Sequence, residues 1–397
     1  MIEISGQNKK VVLRLLELAK GRGLDAIEFG ENFAQDRGNA ERVYLHVTDV
    51  AEIYDQSSEL VSFLKKHSFR KAVVLNCSGN AFERFSYLNG AIQVLNVPLQ
   101  NEHSCVKAAF YFSYVLELFG GKDVNLPCAD QRSQNIVRLI QKISNSDVTV
   151  LVNGPTGSGK EVISKLIHNV SCRAAEPFVA VNCAAIPEQM LESTLFGHEK
   201  GAFTGAVQAN VGLIRAANQG TILLDEISEM PLALQAKLLR VLQEKKVMAV
   251  GSTAEVEVNV RIIATTNRDM PAEVKQGNFR EDLYYRLNVF PLATLSLAER
   301  SKDIAAIVAN MLLKLVGDEP QQTDITSDAL EELANYSWPG NVRELHNVIQ
   351  RAKLICSNNA ISVSDLVFDS PELGLALNTA DVLAAKFNVG IEEEIVS

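Results

Sequence analysis

Apolar positions in the first 120 residues alternate between two spacings. VVLRLLELAKG places Val12, Leu15, Leu16 and Leu18 on one side of a helix, with Gly21 and Gly23 near its end. Short apolar runs of strand length follow at 25–29 (DAIEF), 42–47 (RVYLHV), 71–77 (KAVVLNC) and 92–97 (IQVLNV). Helical stretches at 56–67 and 102–119 separate the later runs. This alternation predicts a small α/β domain over 1–120 that opens with a helix and carries helices on its sheet faces. Residues 121–132, rich in Gly, Pro and charge, read as a linker. An amphipathic helix (SQNIVRLIQKIS) and a strand (VTVLVNG) then begin a second α/β segment, 133–300. From 301 to 368 the pattern is helical, broken at Ser337-Trp338-Pro339-Gly340, and 369–397 is a short acidic tail.

Composition changes this picture little. The 397 residues are 47% hydrophobic and 22% charged, which excludes a disordered chain. A net charge of −10 argues against a nonspecific nucleic-acid coat, which needs a basic surface. No apolar run reaches the length of a membrane span, and the start lacks the apolar core of a signal peptide. Six dispersed cysteines without a CxxC pair predict buried free thiols in a cytoplasmic protein, with no zinc site or disulfide framework.

The chemistry concentrates in the second segment. Gly154-Pro155-Thr156-Gly157-Ser158-Gly159-Lys160 lies between a strand and a helix, the context of a phosphate-binding loop. Its glycines let backbone N–H groups converge on phosphate oxygens, and the helix N-terminus adds positive charge. Lys160 would reach the β- and γ-phosphates of ATP, and Glu161 stands where Ser or Thr is usual. The apolar strand ending in Asp225-Glu226 predicts a Mg²⁺ ligand in Asp225 and a water-orienting group in Glu226. Thr266 and Asn267, at the end of a third strand, are placed to sense the γ-phosphate. Arg280 and Arg286 suit phosphate recognition, though as a pair alone such arginines are more often surface salt-bridge partners.

Gly201-Ala202-Phe203-Thr204-Gly205-Ala206, inside LFGHEKGAFTGA, resembles the signature loop of the AAA+ activators of sigma-54 RNA polymerase. The likeness extends over about 125–370, through Asn182-Cys183-Ala184-Ala185, LDEISEM, FREDLYYRLNV and WPGNVREL. It implies a P-loop AAA+ ATPase core with an α-helical lid, preceded by a receiver-like α/β domain. Lys160 then resembles the Walker A lysine, Asp225 and Glu226 the Walker B acids, and Asn182 a switch asparagine that holds Glu226. Thr266 and Asn267 resemble sensor I, Arg343 sensor II, and Arg280 and Arg286 arginine fingers that enter a neighbouring subunit. Phe203 and Thr204 match the tip that touches sigma-54. The implied partners are the sigma-54 RNA polymerase holoenzyme and a homo-oligomeric ring, usually a hexamer. Departures are Pro155, where the family commonly has Glu, and Leu295-Ser296-Leu297-Ala298-Glu299-Arg300, where it reads PPLRER.

The N-terminal segment shows no acidic pair and no lysine at Asn96-Val97-Pro98, which leaves Asp49 as its one plausible phosphoacceptor. A degenerate receiver used for protein contacts is the favoured expectation, with a purely structural module as the alternative. The tail carries one basic residue, Lys386, too little for a recognition helix, so autonomous specific DNA binding is not expected. Two functions follow: an ATP-driven activator that remodels the closed promoter complex, resembling flagellar regulators of the FlbD and FleQ type, or a regulatory partner co-assembling with a DNA-binding relative.

Overall fold

In a computed structural model of the chain, residues 1–6, 8–29, 42–48, 57–99, 105–119, 126–203, 206–317 and 322–368 are described. Asp49, Thr204, Gly205 and the tail, on which several sequence expectations fall, lie outside them.

The N-terminal unit runs β1 (Ile2–Gly6), α1 (Lys9–Gly21), β2 (Ala26–Glu28), β3 (Val43–Thr48), α2 (Ser57–Lys66), β4 (Lys71–Asn76), β5 (Ser78–Tyr87), β6 (Ile92–Pro98) and α3 (Cys105–Phe119). The chain therefore opens with a strand, not a helix. IEISG is too short to show a period, yet Ile2 and Ile4 are buried and β1 pairs in parallel with both β2 and β3. Sheet order is β2-β1-β3-β4-β6-β5. The first five strands have the parallel flavodoxin-like order. β5 adds an antiparallel edge where the sequence predicted no strand, because its run SGNAFERFSY is mostly polar. Alternation splits the side chains by face. Leu45, Val47, Val73 and Leu75 pack under α1 and α3, while Tyr44 and Ala72 face Leu64 of α2.

The second unit contains α4 (Gln131–Ile143), β7 (Val150–Asn153), α5 (Lys160–Asn169), β8 (Phe178–Asn182), α6 (Glu188–Phe196), α7 (Leu213–Ala216), β9 (Thr221–Asp225), α8 (Leu232–Glu244), β10 (Lys246–Met248), β11 (Glu255–Glu257), β12 (Arg261–Thr266), α9 (Met270–Lys275), α10 (Glu281–Leu287) and β13 (Phe290–Ala293). Its five-stranded parallel sheet has the order β13-β7-β12-β9-β8. Val150, Val152, Leu223 and Ile263 meet α4 and α5 on one face. Leu151, Leu224, Ile262 and Ala264 meet α6, α8 and α10 on the other. Burial on both faces explains the continuous apolar runs.

The lid comprises α11 (Ile304–Val316), α12 (Ser327–Asn335) and α13 (Asn341–Ile355). It is not purely helical: β14 (Asp324–Ile325) pairs in parallel with β15 (Ala360–Ile361), a clip too short to leave a period in the sequence. Trp338 is buried at its centre, and its indole N–H donates to the Leu333 carbonyl at 2.7 Å. The lid and the N-terminal unit share one apolar core, in which α3 packs directly on α11. The six cysteines are free thiols. Cys77, Cys128 and Cys183 are buried as expected, whereas Cys105 and Cys172 are exposed. No described helix is long and apolar enough to cross a membrane.

Candidate nucleotide site

The loop 154–159 leaves β7 at the carboxyl end of the core sheet and enters α5. Two of its glycines are required by space. A Cβ on Gly154 would lie 1.9 Å from Thr294 Oγ1, and one on Gly157, at φ +74°, would lie 2.5 Å from the Gly340 carbonyl. Gly159, at φ +97°, turns the chain into the helix. Among the described residues, no protein acceptor takes the N–H groups of Thr156, Gly157 or Gly159. These three donors beside a helix N-terminus fit a polyphosphate. Lys160 lies across the loop, donating to the Gly154 and Pro155 carbonyls at 2.9 and 3.2 Å. Burial pushes its ammonium below the ordinary range, Asp225 and Glu226 pull it back up, and Arg343 adds to the depression. All four groups thus share one field.

β8, β9 and β12 deliver the rest. Asp225 and Asn182 are cross-strand partners, and the Asn182 amide donates to Asp225 Oδ2 at 3.0 Å. This differs from the expected grip on Glu226. Register decides it: paired positions on parallel strands project to the same side, while Glu226 lies one residue further on, at φ +52°, beyond the strand. Asn182 is itself fixed, since its Oδ1 accepts from Ala184 N and Ala185 N at 2.9 and 3.1 Å. Thr265, which sequence reasoning passed over, donates its hydroxyl to Asp225 Oδ1 and accepts from Glu226 N at 3.2 Å. The Thr266 side chain is buried and turned toward Ser228, while its carbonyl accepts from Gly154 N at 3.2 Å; of the two side chains only Asn267 reaches the loop, donating to Thr156 Oγ1 at 3.0 Å.

The lid closes the other side. Asn341 Nδ2 donates to the Thr156 carbonyl at 3.0 Å, and Val342 N to the Gly157 carbonyl at 3.0 Å. Asn341 Oδ1 accepts from Leu297 N at 2.8 Å, which fixes the divergent turn at 295–300. The available clue to it was an Asn directly after Pro339-Gly340, a residue type that tolerates the left-handed backbone Asn341 adopts. Arg343 follows on the same helix, its Cβ stem 3.3 Å from where a Gly157 Cβ would stand.

Three predicted residues are not brought to this loop. Glu161 points outward and pairs with Lys165 at 3.5 Å. Arg280 forms a fork on Asp282, at 3.0 and 2.7 Å, and Arg286 donates to the Leu242 carbonyl at 3.3 Å.

The loop 197–212 projects from α6. Its arms are joined at His198, whose backbone pairs with Asn210 and whose Nε2–H donates to the Gln208 carbonyl at 3.0 Å. Gly201 N donates to the Ala206 carbonyl at 2.8 Å, and Ala202 N to the Glu199 carbonyl at 3.2 Å. Phe203 is 46% exposed, its ring tilted on His198 at 4.9 Å.

Residues 126–293 match the sigma-54 interaction domain family, and 298–373 match the AAA+ ATPase lid domain family. The response regulator protein FleR of Pseudomonas aeruginosa is 48% identical over 260 residues, 64% of this chain and 54% of FleR. The regulatory protein AtoC of Escherichia coli is 46% identical over 277 residues, 69% of this chain and 58% of AtoC. The chain spans about half the length of the curated relatives it matches. NtrX from Brucella abortus shares the fold, with 24% identity, a TM-score of 0.57, and coverage of 97% of this chain and 90% of NtrX. Residues 126–293 therefore belong to the sigma-54 interaction domain family, an AAA+ ATPase domain, and residues 298–373 to the lid domain family that follows it.

Proposed function

We propose that this chain hydrolyses ATP between subunits of a cytoplasmic ring, a hexamer by family precedent, and uses the Phe203 loop to remodel the sigma-54 RNA polymerase holoenzyme at a closed promoter. The observation that carries this reading is the convergence of Lys160, Asp225, Glu226, Asn267 and Arg343 on one loop from four segments of the chain. The three unclaimed N–H groups and Lys160 would hold the phosphates. Mg²⁺ would sit on Asp225 and neutralise charge that develops on the phosphate oxygens; one carboxylate plus phosphates and water suits this ion. Asn182 and Thr265 orient that carboxylate. Glu226, whose side chain has no other partner among the described hydrogen bonds, is placed to orient the attacking water and take its proton. Arg280 and Arg286 reach no phosphate-loop atom of their own chain, as residues acting in a neighbour's pocket require. Their contribution to rate would be roughly 10³–10⁵-fold.

Purified chain should hydrolyse ATP and convert sigma-54 holoenzyme to open complexes. Lys160→Ala should abolish both, whereas Thr204→Ala should keep hydrolysis and lose open complexes. Promoter output that survives Lys160→Ala would overturn the motor reading in favour of a regulatory partner.

A further inference from the structure

Ser158 is held at three points although it is not a catalytic group. Its N–H donates to the Pro155 carbonyl at 3.2 Å, its hydroxyl bonds Thr294 Oγ1 at 2.7 Å, and its carbonyl accepts from Arg300 Nη2 at 2.5 Å. The third contact matters most. A peptide unit is rigid and trans, so the Ser158 carbonyl and the Gly159 N–H point in opposite directions from one plane. Fixing the carbonyl aims the Gly159 N–H, one of the three donors unclaimed by the protein.

Arg300 is itself held from a distance. Its backbone breaks from helical geometry (φ −132°, ψ 45°), which aims the buried side chain inward, and Asp303 Oδ2 lies 3.9 Å from its Nη1. Asp303 is fully buried and accepts from Ala129 N and Asp130 N, each at 2.6 Å, and from the Ser133 hydroxyl. The carbonyl of the residue before these donors, Cys128, accepts from Nε of Arg22, the residue that caps the end of α1, at 3.1 Å. Arg22 also donates to Glu117 at 2.9 Å and Ser113 at 2.7 Å, both on α3. The other Glu117 oxygen accepts from Asn310 Nδ2 of α11 at 2.5 Å. One line of polar contacts, hydrogen bonds except for the Arg300–Asp303 ion pair and the peptide backbone at 128–130, therefore runs from α3 and the end of α1 to the peptide that aims a phosphate donor. Arg22, Glu117, Asp303 and Arg300 are buried, so loss of one leaves its partners unpaired in a poorly solvated place.

We infer that Arg300 is a positioning residue for the phosphate loop and that docking of the N-terminal domain, through Arg22, sets its aim. The inference rests on the ATP reading above. It gives the receiver-like domain a route to the nucleotide that does not involve a phosphoacceptor: a partner that lifts α1 from residue 128 would loosen Asp303 and lower ATP affinity.

Titration of the full chain with a fluorescent methylanthraniloyl-ATP, alongside steady-state hydrolysis, tests this. Arg22→Gln should raise Kd and KM about fivefold or more while kcat at saturating ATP changes less than about twofold, because only the binding donor is mis-aimed. Arg22→Lys, which keeps a donor, should recover part of the loss. Arg22→Gln should add nothing once Asp303→Asn is present. Lys107→Met is the control. Lys107 anchors α3 to the lid at Asp324 (2.6 Å) across the same domain junction but off this line. Its loss should lower thermal stability and leave ATP affinity unchanged. Equal affinity for wild type and Arg22→Gln, or an equal loss in Lys107→Met, would overturn the relay alone. A wild-type chain that binds no nucleotide would overturn the ATP reading and the relay together.

Discussion

Glu226 is held in left-handed backbone geometry, an uncommon place for a residue with a side chain, directly after the strand that supplies Asp225. The backbone turn separates the two adjacent acids: Asp225 is gripped by Asn182 and Thr265, while the Glu226 side chain has no hydrogen bond among the described residues. Glu226→Gln should therefore keep nucleotide binding and lose turnover by at least about a hundredfold, as read by hydrolysis against methylanthraniloyl-ATP affinity. Gly157 makes a different demand. Its left-handed φ and the Gly340 carbonyl at 2.5 Å from a Cβ mean that Gly157→Ala must push the lid off the loop. Weakened ATP binding and a red-shifted emission of Trp338, the single tryptophan, would report that opening. His168 adds a pH dependence. Its Nδ1 bonds Thr221 Oγ1 at 3.0 Å, and burial, helped by Arg261, pushes the imidazole below its ordinary value, with a backbone bond at Glu176 opposing. The folded state thus prefers the neutral ring. Its contribution to stability is complete above about pH 6.5, where an unfolded histidine is neutral too, and is lost as pH falls below that value while the unfolded chain gains the proton. His168→Asn should flatten the fall in Tm between about pH 7 and pH 5.5 relative to wild type.

At the scale of elements, the Phe203 loop is tied to the hairpin of β10 and β11. Glu199 N donates to the Val250 carbonyl at 3.0 Å and Val250 N to the Gly197 carbonyl at 2.9 Å, while Gly251 lets Ala202 approach so closely that a Cβ would stand 2.9 Å away. Val250→Pro removes one donor without touching the nucleotide loop. It should leave hydrolysis near wild type and reduce open-complex formation with sigma-54 holoenzyme. The same elements show why some of this architecture was legible in sequence. The strands β7, β9 and β12 are buried on both faces and end in distinctive polar residues, so their runs and the intervening glycine loop marked the site. β1 has five residues and β14 and β15 two each, below any usable period. β5 is an edge strand whose buried Arg84 donates to the Gly317 carbonyl at 2.9 Å, a contact across 233 residues that no local pattern encodes. Asn341 and Thr294 escaped for the same reason: each acts on the phosphate loop from an element far along the chain. In this structure the Asn182 amide is on Asp225 and not Glu226, a contact set by strand register, which a resemblance in sequence does not supply.

At the scale of the whole molecule, the N-terminal domain and the lid are not beads on a linker. Phe110, Tyr111, Tyr114 and Val115 of α3 and Ile304, Val308 and Leu312 of α11 belong to one buried cluster, which continues to Trp338. Burial of this kind contributes roughly 25 cal/mol per Å² of apolar area, and it is reinforced at its rim by the paired Lys107 and Asp324. Two units with a shared core should unfold together, and the lone tryptophan makes the test direct. Leu312→Ala, which deletes fully buried methyl groups on the lid side, should cost about 2–5 kcal/mol. If the core is shared, the penalty appears on both sides of it. The Trp338 emission transition in urea should move to lower denaturant, and amide exchange in β3 and β4, which Leu312 belongs to only through the common cluster, should quicken in parallel. Exchange in β3 and β4 that stays at the wild-type rate while the Trp338 transition shifts would show two independently stable units. The line from Arg22 to Ser158 would then lack the rigid frame it needs, since a chain of polar contacts can transmit displacement only between bodies that move as one.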